Sequence, residues 1–92
     1  MSQFSGDSRP KLRPGCRLSQ PAGQGPVLLI PEGALRLVGT GQKIVERCDG
    51  QHTLDDIVRE LKQEYPSADP ARIESEVTAF LTRLHEKRVL DL

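Results

Sequence analysis

Four side chains of this 92-residue sequence belong to types that hold metals or act as nucleophiles and bases: Cys16, Cys48, His52 and His85. Cys48 and His52 are four apart, but Asp49-Gly50 interrupts any helix between them, so they do not share a helical face. No CxxC and no HxxxH occurs, and a zinc site wants four ligands at characteristic spacings; no metal site is expected. Cys48 reads instead as a small core residue and the two histidines as surface residues. The carboxylates Asp55 and Asp56 sit where a helix starts, so capping and the helix dipole account for them, and Glu74 and Glu76 make no acid–base pair. Gly23-Gln24-Gly25 is followed by no helix and by no GK[ST], so it is not a phosphate cradle. Nothing supplies a nucleophile, a base and an orienting group together. The chain is expected to have no catalytic residue and no cofactor, and to be no enzyme by itself.

The elements that position these residues fall into two grammars. Residues 1–8 read as a disordered tail with a lone Phe4, and residues 9–92 as one domain. Between Pro10, Pro14, Pro21, Pro26 and Pro31 lie short strand-like runs at 17–20, Val27–Ile30 and 34–38. Pro31-Glu32-Gly33 is a turn signal, so the second and third runs form a hairpin. After Val38 the period becomes helical. Thr40 is the expected N-cap of a first helix that carries Ile44, Val45 and Cys48 on one face and stops at Asp49-Gly50. Thr53-Leu54-Asp55-Asp56 resembles a capping box, and Leu54, Ile57, Val58, Leu61 and Tyr65 form an amphipathic stripe that Pro66 ends. Asp69-Pro70 supplies N-cap and N1 of a third helix with the stripe Ile73, Val77, Phe80, Leu81 and Leu84. Lys87-Arg88 complement its C-terminal dipole. Val89-Leu90-Asp91-Leu92 reads as a terminal strand or a core plug. The expected architecture is α+β and winged-helix-like, a three-stranded antiparallel sheet followed by a three-helix bundle.

Composition excludes several classes. Thirteen basic residues balance thirteen acids, and the aromatics are only Phe4, Tyr65 and Phe80. A zero balance argues against a dedicated nucleic-acid binder, and three aromatics against a base-stacking platform. No run approaches the roughly 18 apolar residues of a membrane span. Met1 to Pro10 is polar and lacks the apolar centre of a secretory signal, so the two cysteines read as free thiols and a cytoplasmic location is expected. The zero hides an asymmetry: residues 1–38 hold five basic groups against two acids, net +3, and residues 39–92 eight against eleven, net −3. A winged-helix domain that binds DNA is the alternative reading. On its groove helix, however, Glu74, Glu76 and Glu86 would oppose phosphates among Arg72, Arg83, Lys87 and Arg88. A third reading is a subunit-docking module without a peptide groove.

A three-stranded sheet leaves unpaired N–H and C=O groups at its edges. Residues 34–38 are the best edge for an added peptide strand, since no proline interrupts them. From pattern alone the edge is either open to a peptide or blunted by Arg36 and covered by the last helix. A loose edge also leaves homodimer formation or strand exchange open at high concentration, for a chain expected to act as a monomer.

Several blocks together carry a family resemblance. Pro10-Lys11-Leu12-Arg13-Pro14-Gly15-Cys16-Arg17-Leu18, Leu28-Leu29-Ile30-Pro31-Glu32-Gly33, residues 44–50 with their Cys48-Asp49-Gly50 turn, residues 53–58 and residues 77–81 resemble the PqqD family of pyrroloquinoline quinone biosynthesis, over about residues 9–92. The resemblance implies a peptide chaperone, a recognition element that binds the precursor peptide PqqA and presents it to the radical SAM enzyme PqqE, which cross-links a Glu and a Tyr of that peptide. On composition, neither a nucleic-acid nor a membrane partner is expected. In related recognition elements the leader peptide adds a strand to the third strand, in a cleft against the last helix. Here that maps onto Ala34, Leu35, Arg36, Leu37 and Val38, and onto Arg72, Glu76, Val77, Phe80, Leu81 and Leu84, and favours the open edge. Arg36 and Arg72 would attract acidic residues of the precursor. One departure stands out: Val38-Gly39-Thr40-Gly41 occupies the position of a firmer helix cap, and its two glycines are expected to loosen the junction.

Overall fold

The computed structural model describes residues 5–23 and 25–91; the lone Phe4, Gln24 of the Gly-rich loop and the terminal Leu92 lie outside them. Its elements are β1 (Lys11–Leu12), β2 (Arg17–Ser19), β3 (Val27–Ile30), β4 (Gly33–Arg36), α1 (Gly41–Glu46), α2 (Leu54–Glu64), α3 (Pro70–Glu86) and β5 (Leu90–Asp91). β2, β3 and β4 form the expected antiparallel three-stranded sheet in that order, and the α+β architecture is as read from the periodicity. In register, Leu18, Leu28 and Leu35 stand side by side, on one face of the sheet.

That face meets the helices. Leu28, Ile57, Leu61, Val77 and Leu81 are completely buried, and Leu37, Ile44, Val45, Ile73 and Leu84 close the same cluster. Each buried aliphatic side chain contributes about 1.5–3 kcal/mol, so this cluster rather than helix propensity holds the short elements. Thr53 and Asp56 form the complete capping box: the Thr53 hydroxyl accepts from the Asp56 N–H at 3.0 Å, and the Asp56 carboxylate accepts from the Thr53 N–H at 3.0 Å. Asp69 accepts from the Ala71 N–H at 3.0 Å, and Pro70 opens α3.

Three expectations change. β4 ends at Arg36 instead of Val38. The Leu37 N–H still reaches the Pro26 carbonyl at 3.1 Å, but Pro26 has no N–H to return, so the ladder stops there. α1 ends at Glu46, before Cys48, because the N–H groups of Arg47 and Cys48 turn back to Ile44 and Val45, a tightened last turn. Cys48 is nonetheless buried, its thiol donating to the Ile44 carbonyl at 3.3 Å, and burial, with Asp49 beside it, pushes that thiol up to about 12. Where a tail was expected, Ser5–Ser8 lie against α2: the Leu54 N–H donates to the Ser8 carbonyl at 2.8 Å and the Asp55 N–H to Gly6 at 2.9 Å.

A second, two-stranded sheet was not anticipated. β1 pairs antiparallel with β5, Lys11 opposite Asp91 and Leu12 opposite Leu90. Val89 and Leu90 are both buried, so the C-terminal run is strand and plug at once. The same N-terminal segment runs past the α1–α2 turn: Gly50 donates to Pro10, Leu12 to Cys48, and Arg13 to Val89. An ionic strap joins α1 to α2, with Arg47 at 2.9 Å from Glu60 and Lys43 at 3.2 Å from Glu64.

Two carboxylates couple this fold to pH. Asp56, held by the Thr53 N–H, then Arg59 and the Thr53 hydroxyl, titrates at about 2. Asp49 is raised by desolvation, but the His52 side chain and the N–H groups of Gln51 and His52 outweigh this and bring it to about 2. Both lie below the unfolded value of about 3.9, so their stabilisation is full above that value and is lost as pH falls from about 4 toward 2. The urea midpoint is expected to drop over that interval, and Asp56→Asn to flatten the drop; an equally steep drop in the variant would remove Asp56 from the account.

Candidate functional site

β4 is an edge strand: among the described residues no strand pairs with its outer side. Leu37 points its N–H inward to Pro26, and antiparallel ladders alternate. Gly33 and Leu35 therefore face β3, while Ala34 and Arg36 turn their N–H and C=O outward. Ala34, Arg36 and Val38 are exposed, and Val38 is the one large apolar side chain standing free among the described residues, at 74 %. Leu35 is half-buried and Leu37 buried, so these two act through their backbone neighbours and the core rather than as exposed contacts.

Opposite the end of β4, α3 contributes Glu76, Ala79, Phe80 and Arg83 to a cavity of about 350 Å³ whose other wall is Arg36, Val38 and Gly39 to Gly41. Phe80 is its half-buried floor, and the Arg83 guanidinium lies over the ring, 6.0 Å from its centroid. A second cavity of about 410 Å³ continues along α3, lined by Tyr65, Asp69, Arg72 and Ile73; it shares Thr40 and Glu76 with the first. The shared residues make one groove that runs from the edge of β4 to the α2–α3 turn.

The expected site residues thus separate into two sets. Arg36, Val38, Glu76 and Phe80 are brought together in the first cavity, and Arg72 lies in the second. Ala34 lies on the open edge. Val77, Leu81 and Leu84 are 0 %, 0 % and 3 % exposed and belong to the core, one helical face away. Arg72 is occupied by Glu76 at 3.0 Å, so its charge is already matched. Arg83, which the sequence reading left out, supplies the second cation beside Arg36. Its signal was present: Glu76, Phe80 and Arg83 follow i, i+4, i+7.

The junction glycines are fitted rather than loose. Gly39 sits at φ +59, in the left-handed region that L side chains avoid. Gly41 is buried, and a Cβ there would lie 3.2 Å from the Phe80 ring. These residues let the chain turn off β4 and pass close to the ring that floors the groove. Thr40 is the N-cap by position, but its side chain makes no capping bond.

Comparisons with known proteins show the family. Residues 25–90 match the family model described as PqqD, coenzyme PQQ synthesis protein D. The chain is 41% identical over its full length to the full length of a protein of Xanthomonas axonopodis pv. citri (strain 306) named PqqA binding protein. It is similar to the solution NMR structure of the PqqD truncation of Methylobacterium extorquens PqqCD, described as a functional and stand-alone RiPP recognition element: TM-score 0.82, 36% identity, covering 99% of this chain and 97% of that one. It is also similar to lasso peptide synthetase B1 complexed with its leader peptide: TM-score 0.76, 28% identity, covering 92% of this chain and 100% of that one.

The fitted junction is testable. Gly41→Ala should move the Phe80 ring, shift its NMR resonances and cost about 1 kcal/mol. Gly39→Ala meets open space, so it should cost about as much through backbone strain while leaving the ring resonances in place. Equal ring shifts in both variants would refute this division of roles.

Proposed function

Because the chain belongs to the PqqD family, we propose that it is a non-catalytic peptide carrier, that residues 9–92 are its working unit, and that it binds the precursor peptide PqqA and presents it to PqqE. The observation that carries the site is the unpaired outer edge of β4 beside the Phe80 groove. A peptide strand there takes hydrogen bonds from the outward N–H and C=O groups of Ala34 and Arg36, which any sequence can satisfy. Selectivity comes from the groove, where an apolar peptide side chain covers Val38 and Phe80, and Arg36 and Arg83 favour a neighbouring carboxylate. Leu35 and Leu37 hold the strand in place. Val77, Leu81 and Leu84 set the position of α3 without touching the peptide, and Arg72 with Glu76 forms the polar wall. The working form is a monomer, since a second copy on the β4 edge would displace the peptide.

Amide titration of labelled protein with PqqA tests the mapping: shifts should concentrate at Ala34, Arg36, Val38, Phe80 and Arg83, and shifts confined elsewhere would overturn it. Ala34→Pro removes an outward N–H from an edge strand, where proline is tolerated, so the variant should fold while its affinity for PqqA falls about tenfold or more. Leu81→Ala should instead cost about 2–5 kcal/mol of stability. Presentation predicts that PqqA changes the affinity for PqqE; PqqE binding indifferent to PqqA would reduce the protein to a docking module.

A further inference from the structure

The other end of β4 carries a second, basic cavity that the peptide reading does not use. It has a volume of about 380 Å³ and lies where the Pro31–Glu32 turn opens β4, against the end of α3. Arg13, Lys87 and Arg88 line it against the single carboxylate of Glu32, over Ile30 and Pro31. Lys87 and Arg88 are exposed, and among the described residues their side chains have no hydrogen-bond or ion-pair partner. Arg13 is held 3.6 Å from Asp91 and donates to the Arg88 carbonyl at 3.5 Å.

Cations at a helix C-terminus complement its dipole, and that alone would place Lys87 and Arg88 there. The backbone says more. Arg88 sits at φ 61, the one non-glycine residue with positive φ among the described residues. The chain there closes α3 in the manner of a Schellman turn, with Val89 donating to Leu84 and Arg88 to His85. Glycine fits that position without strain and is its usual occupant. The strained conformation therefore keeps a guanidinium on the cavity that glycine would remove.

Resting on the reading that PqqA lies along β4, we propose that this cavity is a carboxylate site that takes an acidic side chain of the same bound peptide. The two cavities flank β4, one at Pro31 and Glu32 and one from Arg36 to Gly41. At about 3.3 Å per residue, a strand running beside residues 32–38 would set their occupants about six residues apart. The carboxylate would accept from Lys87 and Arg88, the two cations left unmatched, and Arg13 would add charge from behind.

Affinity for PqqA, measured by calorimetry on the full chain at low and moderate salt, tests this. Arg88→Gly combined with Lys87→Gln should weaken binding about tenfold at low salt, with a smaller salt dependence, while Arg88→Gly leaves Tm unchanged or raises it. With the acidic residues of PqqA replaced by their amides one at a time, one replacement should cost the unaltered protein about the same affinity and cost the double variant nothing further. Affinity of the double variant within twofold of the unaltered protein, while Ala34→Pro still lowers affinity about tenfold or more, would overturn the site and leave the β4 reading intact. Full affinity in Ala34→Pro would overturn both.

Discussion

The position of α3 against the sheet is the constraint on which the rest depends. Val77 and Leu81 are sealed in one cluster with Leu28 of the sheet and with Ile57 and Leu61 of α2. Once α3 is fixed, its adjacent face is fixed too, about 100° around the helix, and this face carries Glu76, Phe80 and Arg83. The core therefore sets the groove and, Ile73 apart, does not line it. The sheet is committed as well: one face is spent on α1 to α3, and the outer side of β4 is paired with no strand among the described residues. Recognition by a backbone edge needs no aromatic platform, which agrees with a chain that has only three aromatic residues.

The junction between β4 and α1 translates this packing into a usable site. A side chain at Gly41 would crowd Phe80, and one at Gly39 would strain the turn. Read as letters, two glycines at the start of a six-residue helix suggest slack. In three dimensions one gives a backbone angle and the other gives clearance. The difference lies in a neighbour, Phe80, which is 39 positions away in the chain and which no local pattern can bring near Gly41.

The same distinction separates what was legible from what was not. The capping box at Thr53, the Asp69-Pro70 start and the proline-bounded apolar run of β3 are local, and each was readable within a few residues. So was the stripe of α3, although periodicity could not divide it between core and groove. Phe80 follows the same spacing as Val77 and Leu81, and only the placement of α1 decides which of them stays accessible. The expected disordered stretch gave no sign that Ser5–Ser8 would lie on α2, because its backbone carbonyls accept from the helix N–H groups and no residue type is required. The pairing of β1 with β5 joins two-residue strands from opposite ends of the chain, too short for any periodic signal. The end of α1 moved because a tightened turn outcompeted another residue of helix, a balance of fractions of a kcal/mol that composition does not display.

The β1–β5 clasp also bears on how such a unit combines with others. Because Lys11 lies opposite Asp91, the first and last strands of the fold lie side by side, like a loop drawn closed at its neck. A fold with adjoining ends can be spliced into a loop of a larger protein, or fused at either end, without being stretched. Tethering of that kind would raise the effective concentration of a carrier beside its enzyme to about the millimolar range without any change in the groove. The clasp makes the module portable, and it does so with a pair of two-residue strands.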